Sequence, residues 1–388
     1  MISRAVRTGA AALVLAAALA SGARASKPEL RAEVEAGIDA LYRMDFDDAA
    51  RHCDRMRVLE PGHPFGEFGH AALLWARYTY GTEMGDDTLI KPFEAQVDRT
   101  VETGKAWVKA HPGDAEALMA LGAAEGIMAR MYVTRRQYLR GYWSGRAAMK
   151  GTRAAVAADP NLIDAQLGLG MYDYYTDLYP RMIRALAKVI LRGDRARGIE
   201  RLKLVAEKGT WAAVAAKMLL VEISLHDPYG ARDPQKAVKL MEEVRAKYPT
   251  SAMLHSAQLA ALYQAGRLEE ANKGALDFVR KTEDGRYRRF DKPKGMVFLG
   301  ASLWALKRPE DALAAYRRAY EEKPRNRWAV WALIRAGNVL DLLNRRSDAV
   351  QHYKEALSEP DRWGYKEYAE RALKRPFVLE GEFTVDPR

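Results

Sequence analysis

The sequence predicts an all-α protein, an α-solenoid of antiparallel helix pairs wound as a superhelix, with about eight pairs and a closing helix. Three observations carry that expectation. A small residue, an alanine and a proline recur in register along the chain. Helix-forming residues dominate the intervening segments, and sustained strand-like alternation is missing. The chain has 388 residues, 48% apolar and 29% charged, enough to bury a large surface in two or three domains or in one array without a single central core. The register decides for the array.

The repeating unit reads most clearly in Gly37, Ala49 and Pro61 and again in Gly300, Ala312 and Pro324. Gly337 and Ala349 keep the first interval, with Pro360 one residue early. Ala148 to Pro160 and Ala237 to Pro249 repeat the second half, while Pro112 to Gly122 and Pro160 to Gly170 share a proline-to-glycine interval. Small residues let two antiparallel helices approach closely, and proline ends the second helix because it has no N–H to continue the ladder. Each hairpin can bury its apolar stripe only against its neighbours.

On these residues the chain resembles the tetratricopeptide repeat family. The best matches are Gly300-Ala301-Ser302-Leu303 followed by Pro309-Glu310-Asp311-Ala312-Leu313, Tyr316, Ala319 and Pro324, and Phe46-Asp47-Asp48-Ala49 with Leu59-Glu60-Pro61. Asp114-Ala115-Glu116-Ala117-Leu118 and Asp164-Ala165-Gln166-Leu167-Gly168-Leu169-Gly170 match the opening of a first helix. The resemblance spans roughly residues 29–375, with a closing helix from Tyr365 to Leu373, and implies fold more strongly than function.

The first 25 residues read as a secretory signal peptide: Arg4 and Arg7 ahead of an apolar stretch from Ala11 to Ala20, then Ala23-Arg24-Ala25 as a small-x-small cleavage site. The expectation is an exported, periplasmic or secreted chain, soluble after cleavage before Ser26. The apolar run falls short of the ~20 residues a bilayer span needs. Residues 26–280 are then expected to form an N-terminal tetratricopeptide-like array, 281–293 a connecting loop, 294–375 the C-terminal repeats with the closing helix, and 376–388 a loose tail.

The formal charge of +11 includes Arg4, Arg7 and Arg24, which leaves +11 − 3 = +8 after cleavage. That excess favours acidic proteins or peptides, anionic polymers and anionic membrane surfaces, and export excludes nucleic acid as the natural partner. The only cysteine, Cys53, has no intramolecular partner and falls on the apolar face of a helix, where it reads as a small buried hydrophobe.

Three successive units are longer than the rest. The small residue and the opener of the second helix are Ala71 and Thr100, Gly122 and Ala148, and Gly170 and Gly198, intervals more than twice that of Gly37 to Ala49. Insertions at one place in successive repeats emerge on one edge of a solenoid. Nine of the 19 tyrosines lie between Tyr78 and Tyr179. Between Glu125 and Asp159 stand Arg130, Arg135, Arg136, Arg140, Arg146, Lys150 and Arg153, with no acid. Tyrosine and arginine are favoured at binding hot spots, so Tyr132, Arg135, Arg136, Tyr138, Arg140, Tyr142, Tyr174 and Tyr175 form the candidate partner site. Packing of the longer hairpins, with arginines paired to Asp86, Asp87, Asp173 and Asp177, is the competing reading. Pro180 to Arg192 reads as a basic amphipathic helix, either packed or lying on a membrane surface.

No His-Glu-x-x-His, Gly-x-Ser-x-Gly, phosphate-binding glycine loop or Cys-x-x-Cys occurs, and the seven histidines are scattered singly. Neither a cofactor nor a metal nor a catalytic residue is expected. Asp47-Asp48 and Asp86-Asp87 stand where helices start, as caps and dipole partners. The expected role is a non-catalytic scaffold that binds a protein or peptide of the cell envelope; the alternative is a binder of an anionic polymer or membrane surface through the Tyr/Arg edge.

Overall fold

A computed structural model describes residues 26–177, 193–360, 362–379 and 385. Among them every regular element is helical, and the helices pair as the spacing requires. The pairs are α1 (Pro28–Arg43) with α2 (Phe46–Leu59), α3 (Pro64–Ala76) with α4 (Ile90–Ala110), and α5 (Ala115–Thr134) with α6 (Tyr138–Ala158). Then come α7 (Gln166–Asp177) with α8 (Arg195–Lys208), α9 (Ala213–His226) with α10 (Pro234–Lys247), and α11 (Ala252–Gln264) with α12 (Leu268–Glu283). Next are α13 (Lys292–Ala305) with α14 (Pro309–Tyr320) and α15 (Arg327–Leu342) with α16 (Arg346–Ser358), closed by α17 (Lys366–Lys374). Eight pairs and a closing helix are what the intervals foretold: a tetratricopeptide-like helical repeat protein. The expected signal peptide, residues 1–25, and the stretch Pro180 to Arg192 lie outside the described residues.

The recurring residues sit where the physics needs them. A Cβ at Gly300 would lie 2.6 Å from the Tyr316 ring, and one at Gly337 would lie 2.5 Å from the Tyr353 ring. Glycine is required at both crossings. In the lengthened pairs the approach is closer to the main chain: a Cβ at Gly122 would meet Thr152 N at 2.8 Å, and one at Gly198 would meet the Gly170 carbonyl at 2.8 Å. Ala49, Ala237, Ala312 and Ala349 are fully buried. Helix starts are capped by short polar side chains: Asp114 accepts from Ala117 N, Asp233 from Lys236 N, Ser251 from Leu254 N, and Asn326 from Trp328 N and Ala329 N. Each such cap contributes about 1 kcal/mol. Asp47 and Asp48 occupy the first turn of α2, and Asp86 accepts from Thr88 N at the short helix Asp87–Leu89.

The contacts divide the chain into two compact units. The first comprises the described residues up to Asp39, then Asp47–Trp75 and Lys91–Ala216; the second comprises Ala40–Phe46, Ala76–Ile90 and Lys217–Arg388. Their main division falls within α9. In the first unit Leu30, Cys53, Met56, Phe65 and Ala120 form one core cluster against Trp211. Cys53 is buried there, its thiol pushed up to about 12 chiefly by burial. In the second unit a larger core runs through Phe278, Met296, Tyr316, Leu333 and Tyr353. Two described residues of the C-terminal tail bond to α15: Phe377 N donates to Asp341 at 2.7 Å, and the buried Val385 accepts through its carbonyl from Trp331 Nε1 at 3.0 Å.

His255 lies inside the second core, its Nδ1 3.1 Å from the Tyr287 hydroxyl and its ring against Phe278. Burial, reinforced by Arg245 and Lys281 and opposed by Asp277, pushes it down to about 3. The unfolded chain therefore binds a proton that the folded chain refuses. The neutral histidine's contribution is complete above pH ~6.5 and drains away as the pH falls toward 3. Between pH 7 and 5 the loss is expected to be about 2 kcal/mol. Urea midpoints at the two pH values check this; His255→Gln should flatten the slope, and an equal slope in that variant would reject the assignment.

Candidate functional site

The second lengthened pair, α5 and α6, is extended in its helices, not in its loop. The two run for 20 and 21 residues and turn through only Arg135, Arg136 and Gln137. Arg135 N closes the last turn of α5 on the Met131 carbonyl at 3.0 Å. Arg136 follows with φ +59°, a left-handed position that usually takes glycine and that disfavours an L side chain by about 1–2 kcal/mol. The same left-handed turn joins other pairs, through Met44, Gly266, Lys307 and Asn344, so it belongs to the repeat and leaves the Arg136 side chain exposed at the tip. A Cβ at Gly141 would lie 2.9 Å from Val133, so the tip is tightly crossed.

The eight candidate residues separate by face. Tyr132 is buried, and Arg140 lies over its ring with Cζ 4.2 Å from the centroid and Nη1 3.7 Å from Glu94. Burial, and then the Glu94 carboxylate, raises the Tyr132 phenol above its usual range. Tyr174 is also buried, with Tyr175 edge-on to it at 5.2 Å. Neighbouring Asp173 is held by Arg197 at 2.8 and 2.6 Å and by Arg201 at 2.9 Å, cations of α8 and not of the α5–α6 tip. Arg135 and Tyr142 are partly buried, while Arg136, Tyr138 and Arg140 are exposed. Packing therefore claims Tyr132 and Tyr174, and the surface keeps Arg136, Tyr138 and Arg140.

Sequence reasoning named Tyr138 but passed over the other exposed apolar members of this surface, Leu139, Trp143 and Val133. Leu139 is 72% exposed, Tyr138 65%, Trp143 60% and Val133 49%. The buried stripe of α6 is Gly141, Met149, Thr152 and Ala155. Leu139, Trp143, Arg146 and Lys150 recur at helical spacing on another face, and all four are exposed. Arg146 donates to the Tyr142 hydroxyl at 3.3 Å and lies 5.8 Å from the Trp143 ring centroid; Tyr142 and Trp143 meet edge to face at 5.3 Å. The signal was available: an apolar i, i+4 pair on the face opposite the small-residue stripe has no neighbouring repeat assigned to it.

The first lengthened pair behaves differently. Its tip, Ala76–Ile90, belongs to the second unit, and side chains of the C-terminal repeats hold it. Arg288 donates to the carbonyls of Gly81 at 2.9 Å and Tyr80 at 3.2 Å, and Trp363 Nε1 donates to the Glu83 carbonyl at 2.9 Å. Arg362 donates to the Gly85 carbonyl. The Glu83 carboxylate, 4% exposed, pairs with Lys294, 5% exposed, and lies 3.9 Å from Arg327. Most of the third lengthened tip lies outside the described residues.

Among the described residues no group of three or more His, Cys, Asp or Glu could hold a metal ion, and no helix is long and apolar enough to cross a membrane. No family model matches the chain, and no curated protein matches it. Among solved structures it is similar to the human IFIT1 dimer with m7Gppp-AAAA, with 11% identity over 92% of this chain and 87% of that one and a TM-score of 0.47. It is also similar to a monomeric IFIT1 mutant with Gppp-AAAA, at 12% identity over 84% and 68% and a TM-score of 0.45. A third is the P58(IPK) TPR domain, at 13% identity over 89% and 98% and a TM-score of 0.23. The likeness is one of fold, and no ligand of those proteins carries over to this chain.

Proposed function

We propose that this chain is a non-catalytic protein-binding scaffold, exported to the cell envelope, whose α5–α6 tip docks an acidic protein or peptide. The observation that carries the reading is the exposed cluster of Leu139, Trp143, Tyr138 and Val133 set among Arg136, Arg140, Arg146 and Lys150. The sequence holds no acid between Glu125 and Asp159, and Arg140 takes its acidic partner, Glu94, from α4. Large rigid aromatic surface supplies contact area at small entropic cost, and arginine supplies bidentate donors for carboxylate. Helical arrays commonly serve as scaffolds, and the charged start, apolar run and small-x-small site of the first 25 residues support export.

The test follows from the separation of faces. A triple variant, Arg136→Glu with Leu139→Asp and Trp143→Asp, is expected to weaken capture of the envelope partner by at least 2 kcal/mol, roughly thirtyfold, with the melting temperature nearly unchanged. Arg140→Ala should lower stability first, because it uncovers Tyr132. Unaltered affinity in the triple variant would reject the tip as the docking surface. The same exposed leucine and tryptophan beside cations also suit an anionic membrane surface. Sedimentation with phosphatidylglycerol vesicles that weakens steeply with salt would favour that reading over a protein partner.

A further inference from the structure

The contacts around residues 80–85 form a pattern that packing alone does not demand. Three side chains read four main-chain carbonyls: Arg288 takes those of Tyr80 and Gly81, Trp363 that of Glu83, and Arg362 that of Gly85. One carboxylate in the segment is read as well, by Lys294 with Arg327 beside it. The readers come from three successive places in the array. Arg288 precedes α13 and Lys294 lies in its first turn; Arg327 begins α15; Arg362 and Trp363 precede α17.

Three of these readers have contacts besides the segment they read. Arg288 is clamped by the buried Asp291 at 2.9 and 2.8 Å, and Lys294 and Arg327 flank the Trp328 ring, 5.6 and 5.2 Å from its centroid. Asn326 caps α15 and also donates to the Phe290 carbonyl at 2.7 Å. The segment itself is not relaxed. Glu83 and Met84 stand consecutively at φ +52° and +56°, left-handed positions each disfavoured for such side chains by about 1–2 kcal/mol.

We propose that the starts of α13, α15 and α17 form a binding site for an acidic peptide in a turn conformation, and that residues 80–85 are its resident occupant. Carbonyl reading accepts any main chain of the right shape, while the buried Lys294 requires a carboxylate because it would otherwise be an unpaired buried cation. Selectivity therefore rests on one acidic side chain. The strain in Glu83 and Met84 discounts the resident segment's hold, so an unstrained acidic peptide that supplies the same carbonyls and carboxylate competes with it. This site is separate from the α5–α6 tip, and either can fail without the other.

The experiment uses a fluorescent peptide with the chain's own sequence from Tyr78 to Thr88, titrated into three full-length proteins. Wild type, with the site filled, is expected to bind it at least tenfold more weakly than Glu83→Lys, in which the resident side chain is repelled by Lys294. A protein with Tyr80–Asp86 replaced by a glycine-serine stretch of equal length is expected to bind like Glu83→Lys, and it serves if the charge reversal fails to fold. The same peptide with its glutamate changed to glutamine should lose about tenfold in affinity for the opened proteins. Equal binding of the two peptides, or no binding to either opened protein, would overturn the proposal. Hydrogen exchange across residues 76–90 should also rise in wild type when the peptide is added in excess, and an unchanged profile with peptide bound would place the peptide elsewhere.

Discussion

Replacing Asp341 by leucine is expected to cost the C-terminal repeats about 4 kcal/mol, the cost of leaving several buried polar groups without a partner at once. The Asp341 side chain has no exposed surface and accepts from the Tyr353 hydroxyl at 2.9 Å, from Arg346 at 3.0 Å to each oxygen, and from Phe377 N at 2.7 Å. Arg346 also donates to the Ala372 and Leu373 carbonyls at 2.9 and 2.8 Å, so the same carboxylate orients the guanidinium that ends α17. Leucine fills the volume and supplies none of these acceptors. Asp341→Asn keeps one acceptor oxygen and should cost about half as much. Because contacts in a repeat array are local, the loss should appear as early exchange of amides in α15 to α17 while α5 and α6 keep their protection. Protection of α17 equal to that of wild type would show that Asp341 does not organise this end.

Gly337→Val is expected to cost about 3 kcal/mol, and it acts by excess, not by loss. Three atoms of the Tyr353 ring would lie 2.5 to 3.0 Å from the new Cβ, and that ring has nowhere to go. Tyr353 is fully buried, and its hydroxyl is held by Asp341 and, with the Asn338 amide turned to satisfy its neighbours, by Asn338 Nδ2 at 2.9 Å. The turned amide then accepts from the buried Arg335 at 3.2 Å. Burial and the Asp341 carboxylate both raise the Tyr353 phenol, which keeps it a donor at any ordinary pH. Gly337→Ala meets the same ring with fewer atoms and should cost less. Coupling between Gly337→Val and Tyr353→Ala in a double-mutant cycle is the check, because relief of the clash by the smaller side chain is specific to this contact. Simple additivity of the two would place the damage elsewhere.

The helix pairs were readable because their cause is local. Gly300 and Tyr316, or Gly337 and Tyr353, are a helix crossing written within one repeat, so an interval in the sequence maps directly onto a contact. The candidate site was readable only in part. A run of tyrosines and arginines announces contact area, but burial of Tyr132 and exposure of Tyr138 depend on which face of a helix meets the next repeat. Leu139 and Trp143 were missed because apolar residues in a helix are ordinarily assigned to the core. The pairing of Glu83 with Lys294 lay beyond local reasoning altogether, since nothing near either residue distinguishes it from an ordinary surface charge.

The engagement of residues 80–85 also bears on how the chain reaches its final state. An array held by neighbour contacts can nucleate anywhere and zip along its length quickly. Here the bonds from Arg288 to Gly81 and from Trp363 to Glu83 join residues 207 and 280 apart in sequence. During synthesis the short segment leaves the ribosome long before the helices that will receive it exist. Closing so long a loop carries an entropic penalty that grows only slowly with length, but it must be met before the new contacts repay it. The seating of residues 76–90 therefore has to wait for the elements around Arg288 and Trp363, and a chain cut short before them would leave that segment without its receivers.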